Sequence, residues 1–183
     1  MSKKILFILM PEEFQDIEFE VPYTILQAEG YTTDIAGLRP GEAQGTYGLT
    51  YTPNLLLAKM KMSDFDAYDA LVIPGGPGSS KFLWDNQELQ NVVKYFHETK
   101  KVIATICHAC VVPAQAGLLT DKEATVYPSP EALAIFEQAK VKVVDQGCVT
   151  LKDEKIITAQ GPKFAKDFAE SVVELLEQPS IAR

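Results

Sequence analysis

Val102-Ile103-Ala104-Thr105-Ile106-Cys107-His108-Ala109 reads as a buried strand that passes into a helix with no loop between them. An apolar run of this length without polar alternation fits a strand covered on both faces, as in a parallel sheet. Upstream, Ala70 to Ile73 repeats the pattern and ends in Pro74-Gly75-Gly76-Pro77-Gly78. Between the two runs Asn86 caps an amphipathic helix, in which Leu89, Val92, Val93 and Phe96 follow the helical period. Strand, helix and strand in this order make a parallel unit with a crossover helix.

The same alternation extends outward in both directions. Ile5 to Met10 is a further buried strand, followed by a helix from Asp16 to Glu29, with Asp16 as its N-cap and Gly30 as its stop. Pro22 lies inside that helix and bends or loosens its first turns. Tyr31 to Ala36 is a second strand, Gly37 to Gly48 a glycine-rich excursion, and Leu49 to Leu57 short strands broken at Pro53. Downstream come a helix at Pro130 to Gln138 and strands at Val141 to Val144, Cys148 to Leu151 and Ile156 to Ala159. Gly161-Pro162 then opens a last helix with an apolar stripe of Phe164, Phe168, Val172 and Leu175 or Leu176. Residues 1–183 therefore form a single α/β domain, a doubly wound and mostly parallel sheet with helices on both faces.

Bulk properties narrow the function classes. A formal charge of −8 argues against nucleic-acid binding, which needs a basic surface. No apolar run is long enough for a membrane span, and Pro11-Glu12-Glu13 ends the first run too early for a signal peptide. Three cysteines do not make a secreted disulfide framework, so a reducing cytoplasm is expected.

In such sheets ligands bind beyond the carboxyl ends of the strands, where Pro11 to Glu18, Pro74 to Gly78 and Cys107 to Ala109 converge. Cys107, at a strand-to-helix junction, is expected to be exposed, with its pKa depressed by the helix start. By position alone it is equally a nucleophile or a small buried hydrophobe. Gly75 and Gly76 are either a tight turn or, with the His108 backbone N–H, an oxyanion hole. Glu18 is either a solvated helix-start acid or, beside a thiolate, a proton shuttle. The His108 ring is a solvated side chain or the base of a Cys-His pair. Cys107-His108-Ala109-Cys110 has the spacing of a dithiol redox centre, and Cys110 is a candidate resolving thiol. His97 reads as a surface residue, Cys148 as packing, and Trp84 as a core or dimer contact. Neither a metal site nor a phosphate loop is expected.

The run Val72-Ile73-Pro74-Gly75-Gly76, then Ala104-Thr105-Ile106-Cys107-His108, Glu18 four residues before Pro22, and Thr158-Ala159-Gln160-Gly161-Pro162 together resemble the ThiJ/PfpI superfamily, the DJ-one family. Tyr127 before Pro128 is similar to the PfpI-like branch, whereas Ala109-Cys110 stands where Gly-Pro is frequent. The resemblance implies a flavodoxin-like, class I glutamine amidotransferase-like sandwich and a homodimer. It implies Cys107 as nucleophile, Glu18 bonded to its sulfur, and oxyanion donors at Gly75, Gly76 and His108, with Tyr127 and Cys110 as secondary candidates. The expected activity is a cofactor-independent glyoxalase or deglycase acting on a small-molecule carbonyl. The alternatives are an intracellular cysteine peptidase or amidase and a redox-sensing stress protein using Cys107 and Cys110.

Overall fold

The structure is a computed structural model that describes residues 2–178. Seven strands form the main sheet: β1 (Lys4–Leu9), β2 (Thr32–Gly37), β3 (Leu55–Leu56), β4 (Ala70–Ile73), β5 (Val102–Ile106), β6 (Cys148–Leu151) and β7 (Ile156–Ala159). Their spatial order is β6-β7-β5-β4-β1-β2-β3. Every pairing is parallel except β6 with β7, which a tight turn joins as an antiparallel edge. β4 and β5 are buried at every position, because helices cover both faces of the sheet centre.

Helices α1 (Asp16–Ala28), α2 (Ser79–Phe82), α3 (Gln87–Glu98), α4 (Val111–Gln115) and α5 (Pro130–Gln138) lie in the connections between strands, and α6 (Ala165–Glu177) follows the last strand. α1 and α6 pack on each other, while α3, α4 and α5 form a second group. The expected cap at Asn86 is present, with Oδ1 accepting from Leu89 N at 3.0 Å, and Leu89, Val92, Val93 and Phe96 face the core. The last helix begins with a 3-10 turn at Pro162–Phe164, and Phe168, Val172, Leu175 and Leu176 are buried as its pattern requires.

The excursion after β2 is a small sheet of Glu12–Phe14, Ala43–Gly45 and Thr50–Tyr51. A second small sheet pairs Glu123–Ala124 with Lys142–Val143. The chain moves from β1 outward through β2 and β3, then returns to the opposite side of β1 with β4. That reversal opens a crevice at the carboxyl ends of β1 and β4. Across it Gln15 N donates to Gly75 O at 2.8 Å, and Gly78 N to Glu13 O at 3.2 Å.

Candidate active site

Cys107 follows the last residue of β5 and adopts φ +61°, a left-handed conformation that costs a non-glycine residue about 1–2 kcal/mol. It starts a 3-10 turn, Cys107–Cys110, and only afterwards does α4 begin. The sharp reversal turns its side chain toward the crevice, yet leaves it only 5% exposed. An exposed thiol of depressed pKa was expected at this junction, and the structure differs on both counts. Burial pushes the thiol up, the charge of Glu18 adds to that push, and the His108 backbone N–H acts in the opposite sense. A single 3-10 turn does not outweigh desolvation.

Glu18 sits on the first turn of α1 and is completely buried. Its Oε2 accepts the Gly75 backbone N–H at 2.9 Å. Oε1 is buried without a hydrogen-bond partner among the described residues, which favours the protonated acid. Burial pushes the carboxyl up to about 7, while the adjacent Cys107 thiol and the Gly75 N–H pull it back. Pro22 has no N–H to give the Glu18 carbonyl four residues earlier, so the helix is unsealed beside its acid.

The helix start differs from the expected cap. Gln15, not Asp16, is the N-cap, its Oε1 accepting from Ile17 N at 2.7 Å and Glu18 N at 3.1 Å. Asp16 is turned outward from that role and is nearly buried. Its carboxylate accepts from Tyr47 N at 2.9 Å and Leu49 N at 2.7 Å. Gly45 makes this approach possible, since a Cβ there would lie 2.5 Å from Asp16 Oδ2. Asp16 thereby fastens the 45–49 loop over the crevice.

Gln15, Glu18, Thr46, Tyr47, Gly76, Pro77, Cys107, His108, Tyr127 and Pro162 enclose a cavity of about 280 Å³. Gly75 lies behind it, where a Cβ would meet Ile106 O at 2.6 Å and Cys107 Cβ at 2.8 Å. Its N–H is engaged by Glu18, which corrects the expected oxyanion role. Gly76 and His108 are on the cavity wall as expected. Tyr127 also lines the cavity, its ring edge-on to His108 with centroids 4.9 Å apart.

Cys110 is not in this constellation. It is completely buried, and its thiol is directed to the carbonyls of Thr105 at 3.3 Å and Ala159 at 3.5 Å. His97 is only part-exposed and contacts Glu154 at 2.8 Å, so it is tied to the β6–β7 turn rather than free at the surface. Trp84, read as a core or dimer contact, donates its indole N–H to the His108 carbonyl at 2.8 Å. Among the described residues no three His, Cys, Asp or Glu side chains converge as metal ligands. No described helix is long and apolar enough to cross a membrane.

A family model described as the DJ-1/PfpI family matches residues 3–175. The chain belongs to the DJ-1/PfpI family. An uncharacterized protein of Methanocaldococcus jannaschii is 35% identical over 177 residues, which covers 97% of this chain and 84% of the relative. Deglycase PfpI of Pyrococcus furiosus is 35% identical over 124 residues, covering 68% of this chain and 72% of that protein. The crystal structure of a ThiJ/PfpI domain protein from Brachyspira murdochii superposes with a TM-score of 0.88 at 29% identity, covering 98% and 99% of the two chains. The resemblance read from Gly75-Gly76 and Cys107-His108 is thus to the right family. The DJ-1/PfpI fold also accounts for the crevice at β1 and β4.

Proposed function

We propose that this protein is a cofactor-independent glyoxalase or deglycase-type enzyme that acts on small reactive carbonyls through Cys107. The observation that carries the reading is the buried Glu18 carboxyl, poised near pH 7 beside the Cys107 thiol on one small cavity. A group of that pKa exchanges protons in both directions at neutral pH, which isomerisation between adjacent carbons requires.

With methylglyoxal, the sulfur adds to the aldehyde carbon, and the thiol proton ends on the former carbonyl oxygen as a hemithioacetal. The backbone N–H groups of Gly76 and His108 are the donors assigned to that oxygen. Glu18 carboxylate removes the proton from the carbon bound to sulfur and returns it to the neighbouring carbon, while the hydroxyl proton passes from the first oxygen to the neighbouring one. The product is a thioester of the hydroxy acid. Water cleaves it, releasing lactate and the free thiol, so no external oxidant or reductant is consumed. Because burial raises the thiol, attack is favoured when its proton moves in concert rather than from a standing thiolate.

The cavity of about 280 Å³ has room for a three-carbon substrate beside Cys107 and Glu18. Relatives named deglycases lend further support. The test is lactate formation from methylglyoxal without added cofactor, for the wild-type protein, Cys107→Ala and Glu18→Gln. Both variants are expected to lose at least about a hundredfold in kcat/KM. Equal rates in all three proteins would overturn the reading.

A further inference from the structure

His108 follows the nucleophile directly, and adjacent residues on a turn rarely face each other, so a base role for its ring needs a specific geometry. The ring is instead held from three sides by elements remote in sequence. Trp84 packs edge-on with centroids 5.8 Å apart, Tyr127 does the same at 4.9 Å, and the indole bond to the His108 carbonyl anchors the backbone beneath them. The remaining polar contact is between Nε2 and Ser129 Oγ at 3.1 Å.

Ser129 is itself fixed. It is the N-cap of α5, where Oγ accepts from Ala132 N at 3.3 Å, and its own N–H donates to Tyr127 O at 2.8 Å. A hydroxyl that already accepts one bond has its hydrogen left to donate. The Gly76 carbonyl is a further polar neighbour of His108, and a carbonyl only accepts. Burial holds the ring pKa below its usual value, against the opposing effects of the Gly76 carbonyl and the Glu131 charge. The neutral ring therefore has one proton to place between Gly76, which can only accept, and the Ser129 hydroxyl, which still has its hydrogen to donate.

We infer that Ser129 is a positioning residue that fixes His108 in the Nδ1–H form, so that the ring gives its one proton to the Gly76 carbonyl and does not act as a base toward Cys107. This is the tautomer that a free histidine side chain favours less, so its selection needs a cause in the protein. That bond would steady Gly76, one of the backbone donors assigned to the substrate oxygen, and in this respect the inference rests on the function proposed above. The tautomer itself does not depend on it.

The chain has two histidines, so nitrogen-edited NMR of the full-length protein isolates His108 once a His97→Gln variant assigns the other ring. At pH 8 the wild-type His108 is expected to show a protonated Nδ1 and an unprotonated Nε2. Ser129→Gly, which keeps an acceptable N-cap, should redistribute the proton toward Nε2. It should also lower kcat/KM roughly five- to tenfold, the size of one neutral hydrogen bond. Ser129→Thr should restore both readouts. Ser129→Asp also keeps the cap, but its carboxylate should draw the proton to Nε2 and raise the His108 pKa. A wild-type ring protonated at Nε2, or a proton position indifferent to Ser129→Gly and Ser129→Asp, would overturn the inference. Absence of carbonyl chemistry in every form, with the tautomer as expected, would instead remove the proposed reaction and leave Ser129 as the tautomer's determinant.

Discussion

Gly75 donates its backbone N–H to Glu18 Oε2 at 2.9 Å across 57 residues of sequence, and this bond joins the end of one strand to the acid of the candidate site. It orients one carboxylate oxygen and leaves the other buried without a partner among the described residues. It also means that the first glycine of the Gly-Gly pair serves the acid, while the second serves the cavity.

The raised Glu18 pKa gives a stability signature of definite sign. Between pH 4.5 and about 7 the unfolded chain has released this proton while the folded chain keeps it. Its contribution is thus complete below pH 4.5 and is lost as pH rises through about 7, amounting to about 3 kcal/mol. Urea unfolding at pH 5 and pH 8 should show Glu18→Gln gaining on the wild-type protein at the higher pH. A wild-type-to-variant gap that is constant with pH would contradict the assignment.

The φ of +61° at Cys107 inverts an ordinary preference. In most buried positions alanine is a better residue than glycine. Here Cys107→Gly should be about 1 kcal/mol more stable than Cys107→Ala, because glycine has no Cβ to strain. Denaturant midpoints of the two variants decide it, and the reverse order would mean that the turn relaxes.

Gly75→Ala would insert a methyl group 2.9 Å from Glu18 Oε2, with Ile106 O and the Cys107 Cβ closer still. The expected cost is about 2 kcal/mol or more, with activity lost through displacement of both reacting groups. Thermal unfolding followed by circular dichroism, beside the lactate assay, reads both effects.

Asp16→Ala removes two acceptors from the backbone of the 45–49 loop. Loss of about 2 kcal/mol is expected, with KM rising more than kcat falls, because Thr46 and Tyr47 line the cavity without touching the sulfur chemistry. An unchanged KM would remove the loop from substrate binding.

Mild peroxide should leave Cys107 and Cys110 unlinked to each other, since the Cys110 thiol is held in the core by two carbonyls. Peptide mapping by mass spectrometry tests this. A linked Cys107-to-Cys110 peptide would show that the 3-10 turn opens.

The strands at Ala70–Ile73 and Val102–Ile106 were legible because continuous apolar runs bounded by turn residues leave few alternatives. Glu18, Cys107 and His108 were legible as candidates from their places relative to strand ends. The capping of the first helix by Gln15 in place of Asp16 was not, because Asp is the residue that ordinarily caps and the partners that divert Asp16 lie 31 and 33 residues away. Ser129 and Trp84 were hidden for the same reason: one reads as a helix cap and the other as packing, and only the folded chain brings them to His108. The thiol pKa went the other way because a helix start is visible in sequence, whereas depth of burial is not.

The residues of the cavity wall range in number from Gln15 to Pro162, so segments far apart in the chain meet on it. The strand that pairs with Val102–Ile106 on its outer side, Ile156–Ala159, leaves a translating ribosome well after Cys107. A nascent chain that has already exposed Cys107 therefore still lacks the last wall of its pocket, and carries a thiol without the environment that gives it chemistry. Competence waits for the last wall.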